Sequence, residues 1–350
     1  MLLEGIFPAI TTPFTPEGLP ALRKLEHNIS RYSRTPLAGI VVLGSTGEAV
    51  MLSDEESRSV LRVAAEGASP EKVLLAGVAR ESVLETLRLA EFAAEQRYDA
   101  ILVRTPHYYG PQMTDMALLT YYRTIADQSA LPVILYTIPR FTHLELPVAV
   151  VAELAQHPNI IAVKDSTGNA ERIAQLVAAT ASAPRRKVTV TPIFEAVTSR
   201  MLAERNDSNF VSASSIGTSS TAVAQAATSP EIKARTKEVG FQVLNGAAGK
   251  VIDSFEAGAS GSVLAFAACA PQVSNEIYLA WKDRDPALAR QKQQRIAAAA
   301  QKVVVELGIA GIKYACDLNA YAGGRPRLPL LPLTAAEKEQ VEQVMADLKN

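Results

Sequence analysis

The stretch GFQVLNGAAGKVIDSFEAGASGSVLAF, residues 240–266, decides the predicted fold of this chain. Two apolar runs punctuated by glycine flank a segment with a helical pattern, which is typical of a strand, a helix and a second strand. The stretch KVTVTPIFEAVTSRMLAERNDSNFVSA, residues 187–213, allows the same interpretation, but its runs are less apolar. We therefore assign 240–266 to the last two strands of a repeating pattern of strands and helices.

Six further apolar runs, each followed by a helical pattern, precede residue 180. They are FPAITTPF, GIVVLGSTGE, VLLAGVA, AILVRTP, PVILYTIP and IIAVKDSTG. Runs without polar alternation are typical of strands buried on both faces of a parallel sheet. Such repeats form either a doubly wound sheet or a closed barrel. Because 240–266 brings the number of units to eight, we predict an α/β protein of the (β/α)8 TIM-barrel class.

The predicted barrel occupies residues 1–270, and residues 271–350 form a C-terminal helical region. Helical patterns in that region lie at about 272–283, 286–307 and 335–348.

An insertion at about 184–239 separates the sixth helix from the seventh strand. Within it, AVTSRMLAE and SPEIKARTKE look helical, and the small, polar stretch SASSIGTSSTAVAQAATSP between them is predicted to be a mobile loop. A connection of this kind leaves a barrel on the face opposite the active site. We expect it to lie at the surface or in oligomer contacts.

The composition narrows the classes of function. The 350 residues carry a formal net charge of −1 with dispersed basic residues, so no surface for nucleic acid or an anionic membrane is indicated. Cys269 and Cys316 form no disulfide framework or CxxC motif, which is typical of a reducing compartment. The start of the chain resembles neither a signal peptide nor an anchor, and no apolar run reaches the ~20 residues that span a bilayer. We expect a soluble, cytoplasmic protein with a small-molecule partner.

Lys164 ends an apolar run, at the position where barrels carry their reacting groups. An ammonium group there is costly unless it is paired or neutralised. A neutral amine is what attack on a carbonyl carbon requires. The alternative is a lysine that snorkels to solvent or forms an ion pair with Asp165.

Tyr136 ends the preceding run, so its hydroxyl is predicted to face the same cavity as Lys164 and to move protons there. The alternative is a ring packed in the core with its hydroxyl satisfied at the rim. The glycine-flanked turn GSTGE, residues 44–48, offers backbone N–H groups for a carboxylate and the hydroxyls of Ser45 or Thr46 for proton transfer. Its glutamate, Glu48, is expected to orient the loop or to act as a cap.

The loop TPHYYG, residues 105–110, contains two adjacent tyrosines, and an aromatic pair in a loop is more often packing or an interface than catalysis. The 4 histidines of the chain are scattered, with no pair at ligand spacing, which disfavours a metal-dependent aldolase. We expect no metal and no cofactor.

Taken together and in this order, GSTGE, TPHYYG, YTIP and KDSTG resemble the dihydrodipicolinate synthase and N-acetylneuraminate lyase family of class I aldolases. The resemblance covers about residues 4–183 and continues from about 240 to the end. It implies a (β/α)8 barrel with a C-terminal helical part, usually a tetramer built as a pair of tight dimers, in which a lysine forms a Schiff base with pyruvate.

By motif position, the resemblance implies that Lys164 is the Schiff-base lysine and that Tyr136 is the phenolic acid and base. Ser45 or Thr46 would be the hydroxyl relay, and their backbone groups would hold the pyruvate carboxylate. Tyr108, two residues after the proline of the TP motif, would be the relay tyrosine that is donated across the tight dimer.

The resemblance also implies further substrate-binding positions: Gly44 beside the pyruvate carboxylate, Arg140 and Phe141 after the fifth strand, and Gly246 and Val263 at the ends of the seventh and eighth strands. Phe141 stands where synthases carry an arginine that binds the carboxylate of the aldehyde substrate, and Arg140 lies one place earlier.

Several stretches look closer to the 4-hydroxy-2-oxoglutarate aldolase branch, namely TPHYYG, the KDS start of the lysine motif, GASGSVLAFA and GIAGIKYACDLNAYAGGRPRLPL. The expected function is therefore a pyruvate-dependent lyase acting on a 4-hydroxy-2-oxo acid. The alternatives within the family are dihydrodipicolinate synthase, N-acetylneuraminate lyase and a dehydratase of sugar-derived 2-oxo acids. Outside enzymes, the alternative is a barrel that binds a 2-oxo acid without turnover.

Overall fold

The computed structural model describes residues 1–193, 195–207 and 234–348. The strands in this part of the chain are β1 (Gly5–Pro8), β2 (Gly39–Val42), β3 (Val73–Gly77), β4 (Ala100–Arg104), β5 (Val133–Thr137), β6 (Ile160–Asp165), β7 (Arg186–Val190), β8 (Arg235–Val239), β9 (Gln242–Asn245) and β10 (Gly261–Leu264). Eight of them form one parallel sheet in the order β1-β10-β9-β6-β5-β4-β3-β2. The sheet closes between β1 and β2, where the N–H of Ala38 donates to the carbonyl of Ile6 at 3.0 Å. The predicted TIM-barrel class is confirmed.

The helices lie outside the barrel. They are α1 (Leu22–Ser33), α2 (Asp54–Gly67), α3 (Val83–Glu95), α4 (Asp115–Gln128), α5 (Pro139–Thr142), α6 (Val148–Leu154), α7 (Ala170–Ala179), α8 (Ser199–Asp207), α9 (Val251–Glu256), α10 (Phe266–Cys269), α11 (Pro271–Lys282), α12 (Pro286–Ala300), α13 (Gly308–Leu318) and α14 (Ala335–Met345). A π-helical turn, Gln301–Glu306, joins α12 to α13, and short 3₁₀ turns lie at Ser45–Gly47, Ala49–Met51, Gly110–Gln112, Ala248–Lys250 and Ala346–Leu348.

Both faces of the barrel strands are buried. Phe7, Leu75 and Ile134 belong to the cluster inside the barrel, whereas the neighbouring Ile6 and Leu74 pack outwards against the helices. Because successive residues of a strand face opposite sides, burial of both sides leaves no room for polar alternation. This is the physical reason for the continuous apolar runs in the sequence.

The choice of 240–266 over 187–213 for the last two barrel strands is confirmed. β9 and β10 lie in the barrel, whereas β7 pairs with β8 in a separate antiparallel ribbon. Lys187 and Thr189 of β7 are exposed while Val188 and Val190 are buried, and a strand with one polar face does not fit between two buried layers. The buried valines pack against Leu2, just before β1, so the ribbon lies at the amino-terminal face of the barrel, as expected.

Other details of the insertion differ from the prediction. The last four residues of SPEIKARTKE, 235–238, lie in β8 and not in a helix, because β8 pairs along the length of β7. Helix α8 begins at Ser199, within AVTSRMLAE. The stretch SASSIGTSSTAVAQAATSP, predicted to be mobile, lies outside the described residues.

The C-terminal helical patterns correspond to α11, to α12 with the π-helical turn, and to α14. The sequence pattern does not indicate α13, because glycines interrupt it. Gly311 is required within α13, since a Cβ there would lie 2.5 Å from the carbonyl oxygen of Val303. Helix α11 packs against β1 as the eighth helix of the barrel, and the division of the chain at residue 270 stays a prediction.

Candidate active site

Three polar side chains form one layer at the carboxyl ends of neighbouring strands. Arg104 on β4 is in register with Tyr136 on β5, and Tyr136 is in register with Lys164 on β6. The residues two positions earlier on each strand, Leu102, Ile134 and Ala162, all belong to the cluster inside the barrel. Because alternate residues of a strand share a face, the three polar side chains point into the barrel mouth.

Lys164 is buried, with 4% of its surface exposed. Its Nζ lies 4.0 Å from the centroid of the Tyr136 ring, within the range of a cation–π contact. The neighbouring Asp165 faces the other way and forms an ion pair with Arg172 at 2.7 Å. Among the described residues no carboxylate forms an ion pair with Lys164, so the alternative of a lysine paired with Asp165 is excluded.

The hydroxyls expected to move protons lie next to this lysine. The Oη of Tyr136 is 3.4 Å from the Oγ of Ser45, within hydrogen-bonding distance. Tyr136 is only 4% exposed, and its ring packs inside the barrel. The structure therefore brings Lys164, Tyr136 and Ser45 together, while Thr46 is buried in the same short turn.

Glu48, the last residue of the GSTGE loop, holds the loop in place and adopts a left-handed backbone conformation with φ of 55°. Its buried carboxylate pairs with Lys313 of α13 at 2.5 Å and accepts the backbone N–H of Arg327 at 2.8 Å. Burial lowers the pKa of Lys313, and the charge of Glu48 opposes this shift only in part. Glu48 thus orients the loop, as expected, by tying it to the C-terminal region.

Tyr108 does not reach the cavity of its own chain. It is 77% exposed and packs edge-to-face against Tyr109, with ring centroids 5.1 Å apart. Glu81 anchors this loop, since its carboxylate accepts the backbone N–H groups of His107 at 2.8 Å and Tyr108 at 3.0 Å. An exposed tyrosine on an anchored loop is compatible with the predicted donation to a partner subunit, which stays a prediction.

Gly246 follows β9 and Val263 lies on β10, the two strands on the side of β6 away from β5. The N–H of Gly246 donates to the carbonyl of Asp165 at 2.7 Å, and a Cβ at this position would lie 1.9 Å from the Oγ of Ser166. Val263 is buried inside the barrel in the same cluster as Tyr136. Both positions therefore border the lysine strand or the interior.

Arg140 and Phe141 lie on α5 and are exposed. The guanidinium of Arg140 donates to the carbonyl oxygens of Val304 and Val305 in the π-helical turn. Arg140 is thus turned towards the C-terminal region, and the structure does not bring it to Lys164.

Arg104 was not indicated by the motifs. It lines a cavity of about 30 Å³ together with Gly44, Ser45 and Tyr136. The available signal is its position in AILVRTP, in phase with the inward-facing Leu102. Among the residues that the structure describes, no group of three or more His, Cys, Asp or Glu side chains converges to hold a metal ion.

A barrel mouth that holds a buried lysine, a phenol on the adjacent strand and a hydroxyl on a glycine-flanked loop is typical of lyases that form a Schiff base with a carbonyl substrate. The comparisons with known proteins agree with this class. The model of the dihydrodipicolinate synthetase family matches residues 2–184 and 211–348. The chain belongs to this family, whose members are class I aldolases, and it is an enzyme of the lyase class.

Individual relatives cover the whole chain or half of it. A 4-hydroxy-tetrahydrodipicolinate synthase from Methanothrix thermoacetophila is 26% identical over 100% of this chain and 98% of its own length. One from Xanthomonas axonopodis pv. citri is 38% identical over 51% of this chain and 58% of its own length. YagE from E. coli K12, a prophage protein of the same family solved in complex with pyruvate, shares the fold with a TM-score of 0.78 at 23% identity, covering 99% of each chain. In the described residues, no helix is long and apolar enough to cross a membrane.

Proposed function

We propose that the protein is a pyruvate-dependent Schiff-base aldolase that cleaves or forms a C–C bond in a 4-hydroxy-2-oxo acid, as 4-hydroxy-2-oxoglutarate aldolases do. The observation that carries this proposal is the placement of Lys164, Tyr136 and Ser45 at one barrel mouth. The amine is buried beside a phenol, and the phenol has a second hydroxyl within hydrogen-bonding distance.

In the cleavage direction, the Nζ of Lys164 attacks the C2 carbonyl of the substrate to give a carbinolamine, which takes up a proton and loses water to form the protonated imine, an iminium. Tyr136 supplies the proton that leaves with this water and then accepts the proton of the substrate's 4-hydroxyl. The C3–C4 bond breaks, its electron pair flows into the iminium to give an enamine, and an aldehyde leaves. Protonation of the enamine carbon and hydrolysis release pyruvate and regenerate the lysine.

The remaining predicted residues complete this site. Backbone groups of Ser45 and Thr46, beside Gly44, would hold the carboxylate next to the reacting carbonyl. Ser45 would relay protons between Tyr136 and solvent, supported by the 3.4 Å distance between their hydroxyl oxygens. Tyr108 would enter from a partner subunit, which makes a homo-oligomer, a dimer or a dimer of dimers, part of the proposal.

The residues expected to contact the aldehyde part of the substrate support the proposed substrate class. Phe141 is apolar and exposed, and Arg140 is turned to the π-helical turn, so neither residue supplies the guanidinium that synthases use for aspartate semialdehyde. Gly246 and Val263 would border the leaving aldehyde. The stretches TPHYYG and GASGSVLAFA, which look like the 4-hydroxy-2-oxoglutarate aldolase branch, point the same way.

The second candidate is 4-hydroxy-tetrahydrodipicolinate synthase, which joins pyruvate to aspartate semialdehyde. It is favoured by the name of the relative from Methanothrix thermoacetophila, which matches 100% of this chain. N-acetylneuraminate lyase and a dehydratase of sugar-derived 2-oxo acids are the other candidates. Both would form the same imine, and they would differ in how the protein contacts the rest of the substrate. A barrel that binds a 2-oxo acid without turnover would keep the pocket but form no adduct.

The compartment that we propose is the cytoplasm. This is supported by Cys269 and Cys316, which are both buried and free, as is typical of proteins in a reducing compartment.

Borohydride reduction in the presence of pyruvate tests the chemistry. Intact mass should show a covalent gain, and peptide mapping should place it on Lys164. An adduct on another residue contradicts the assignment, and stabilisation by pyruvate without any adduct favours the binding barrel. Product analysis with pyruvate and either glyoxylate, aspartate semialdehyde or N-acetylmannosamine then separates the enzyme candidates.

A further inference from the structure

Arg104 is in register with Tyr136, and Tyr136 is in register with Lys164, so all three belong to the same inward-facing layer of strand residues. The side chain of Arg104 is 13% exposed and lines the cavity that also borders Gly44 and Ser45. A strand residue facing the mouth of a barrel is in the position from which substrate contacts are made. Lys164 has the imine as its proposed task, and the ion pair of Arg104 with Glu81 uses only the Nη1 of the guanidinium.

The guanidinium is held by one of its three nitrogens. Its Nη1 lies 3.0 Å from the carboxylate of Glu81, 3.0 Å from the carbonyl of Thr105 and 2.8 Å from the Nδ1 of His107. Within the described part of the chain, its Nε and Nη2 have no hydrogen-bond partner. A guanidinium braced at one nitrogen keeps a fixed direction, and two adjacent N–H groups match the two oxygens of a carboxylate.

The charges around the barrel mouth also favour the binding of an anionic group of the substrate. Glu81 offsets part of the charge of Arg104, but its carboxylate is already engaged by the backbone N–H groups of His107 and Tyr108. The protonated imine on Lys164 would add a second positive charge in the same layer. Arg140, the arginine next to the synthase position, donates instead to the π-helical turn.

We propose that Arg104 is a specificity-determining residue whose Nε and Nη2 bind a second carboxylate on the substrate, at the end remote from the imine carbon. The substrates selected are 2-oxo dicarboxylates, with one carboxylate beside the reacting carbonyl and one at the far end. This inference rests on the proposed Schiff-base function. It adds that the positive charge of Arg104 selects substrates with a second carboxylate.

The test uses two 2-oxo acids of equal chain length that differ only at the far end. 2-Oxoglutarate carries a terminal carboxylate, and 2-oxopentanoate carries a methyl group there. The concentration of each acid that gives half-maximal borohydride trapping is measured by intact mass, with pyruvate as the reference. Turnover is not required, so the physiological aldehyde need not be known.

In the wild type, half-maximal trapping should need a concentration of 2-oxoglutarate lower by about tenfold or more than that of 2-oxopentanoate, the scale of a charge-assisted hydrogen bond. Arg104→Gln should bring the two concentrations within about twofold of each other and should raise that of 2-oxoglutarate by a larger factor than that of pyruvate. Arg104→Lys keeps the positive charge but loses the two adjacent N–H groups of the guanidinium. It should therefore retain part of the preference for 2-oxoglutarate over 2-oxopentanoate. The matched control is Arg80→Gln, because Arg80 lies on the same rim, pairs with Asp54 at 3.0 Å and does not line the cavity.

The outcomes separate the two proposals. No adduct with any of the acids in the wild type contradicts the Schiff-base function itself. Adducts without a preference for 2-oxoglutarate in the wild type, or a preference that survives in Arg104→Gln, overturn the role of Arg104 alone. A selective loss of pyruvate trapping in Arg104→Gln also overturns it, because the guanidinium would then bind the carboxylate beside the imine. If Arg104→Gln does not fold, the wild-type comparison and Arg104→Lys still decide the question.

Discussion

The Nζ of Lys164 lies 4.0 Å from the centroid of the aromatic ring of Tyr136, its register partner on the neighbouring strand. The amine therefore has an aromatic face as its neighbour, while the nearest acidic residue in sequence, Asp165, is engaged by Arg172. This arrangement keeps the proposed nucleophile and the proposed proton carrier adjacent inside a barrel whose walls are apolar.

Replacing the lysine should remove the chemistry and keep the fold. Lys164→Met is expected to abolish the pyruvate adduct and to lower kcat by at least about 10³-fold, because methionine has no nucleophilic nitrogen. Its Tm should be unchanged or higher, since a buried charge is removed. Intact mass and thermal melting check both points. In the control Lys72→Met, which leaves the carbonyls of Thr35 and Leu37 without their donor, the adduct should persist while Tm falls.

Removing the phenolic hydroxyl should slow proton transfer. Tyr136→Phe is expected to lower kcat by about 10² to 10⁴-fold with little change in Tm, because the ring continues to pack inside the barrel. Ser45→Ala should have a smaller effect, since the proposed relay of Ser45 acts through Tyr136. Tyr122→Phe is the matched control, as the hydroxyl of Tyr122 donates to the carbonyl of Val103 at 3.3 Å, away from the mouth. A kcat in Tyr136→Phe equal to that of this control would contradict the role of the phenol.

Gly246 should be sensitive to the smallest side chain. A Cβ there would lie 1.9 Å from the Oγ of Ser166 and 3.0 Å from the carbonyl oxygen of Asp165. Gly246→Ala is therefore expected to destabilise the fold by about 1–3 kcal/mol and to lower kcat by displacing the segment after Lys164. Gly249→Ala, where no atom lies within 4 Å of the new Cβ, should be close to the wild type in denaturant unfolding and in rate. Equal behaviour of the two variants would show that the Gly246 backbone has room to adapt.

The buried pair of Glu48 and Lys313 should matter for stability and for the GSTGE loop. Glu48→Gln leaves a buried ammonium without its counterion and is expected to cost about 3–5 kcal/mol of unfolding free energy. The double variant Glu48→Gln with Lys313→Met should recover part of that loss, because the unpaired charge is gone. Denaturant unfolding of the wild type, both single variants and the double variant measures the coupling. Additive effects would mean that the two side chains act independently.

The loop that carries Tyr108 should loosen in acid. Burial by itself raises the pKa of Glu81, but hydrogen bonds from the N–H groups of Tyr108 and His107 and from Arg104 outweigh it, so the pKa lies below its ordinary value of 4.5. A carboxyl with a depressed folded pKa contributes stability that is complete above 4.5 and is lost as the pH falls through the folded pKa.

Amide hydrogen exchange of the loop, corrected for the intrinsic rate, is therefore expected to accelerate as the pH is lowered from 4.5. Glu81→Gln should exchange fast already at neutral pH and show no further acceleration in this window. Retention of full protection in Glu81→Gln would assign the order of the loop to other contacts.

The barrel and the lysine–tyrosine pair were predictable because they depend on local periodicity. Continuous apolar runs indicate strands buried on both faces, and parallel strands bring their carboxyl ends to one edge. That rule is enough to place Tyr136 beside Lys164. The same periodicity separates β7, with its polar Lys187 and Thr189, from the barrel strands.

Patterns within a few residues were enough to predict the fold class, the strands of the barrel and the positions of Lys164 and Tyr136 at the ends of neighbouring strands. The tertiary structure alone decided which of the predicted site residues meet and which turn away. Glu48 is tied to Arg327, 279 positions later, and Arg140 is drawn to the carbonyl of Val305, 165 positions later. The contacts of Arg104 with Glu81 and His107 likewise became visible only with these neighbours in place. Such contacts depend on how distant segments pack, and no local periodicity encodes them.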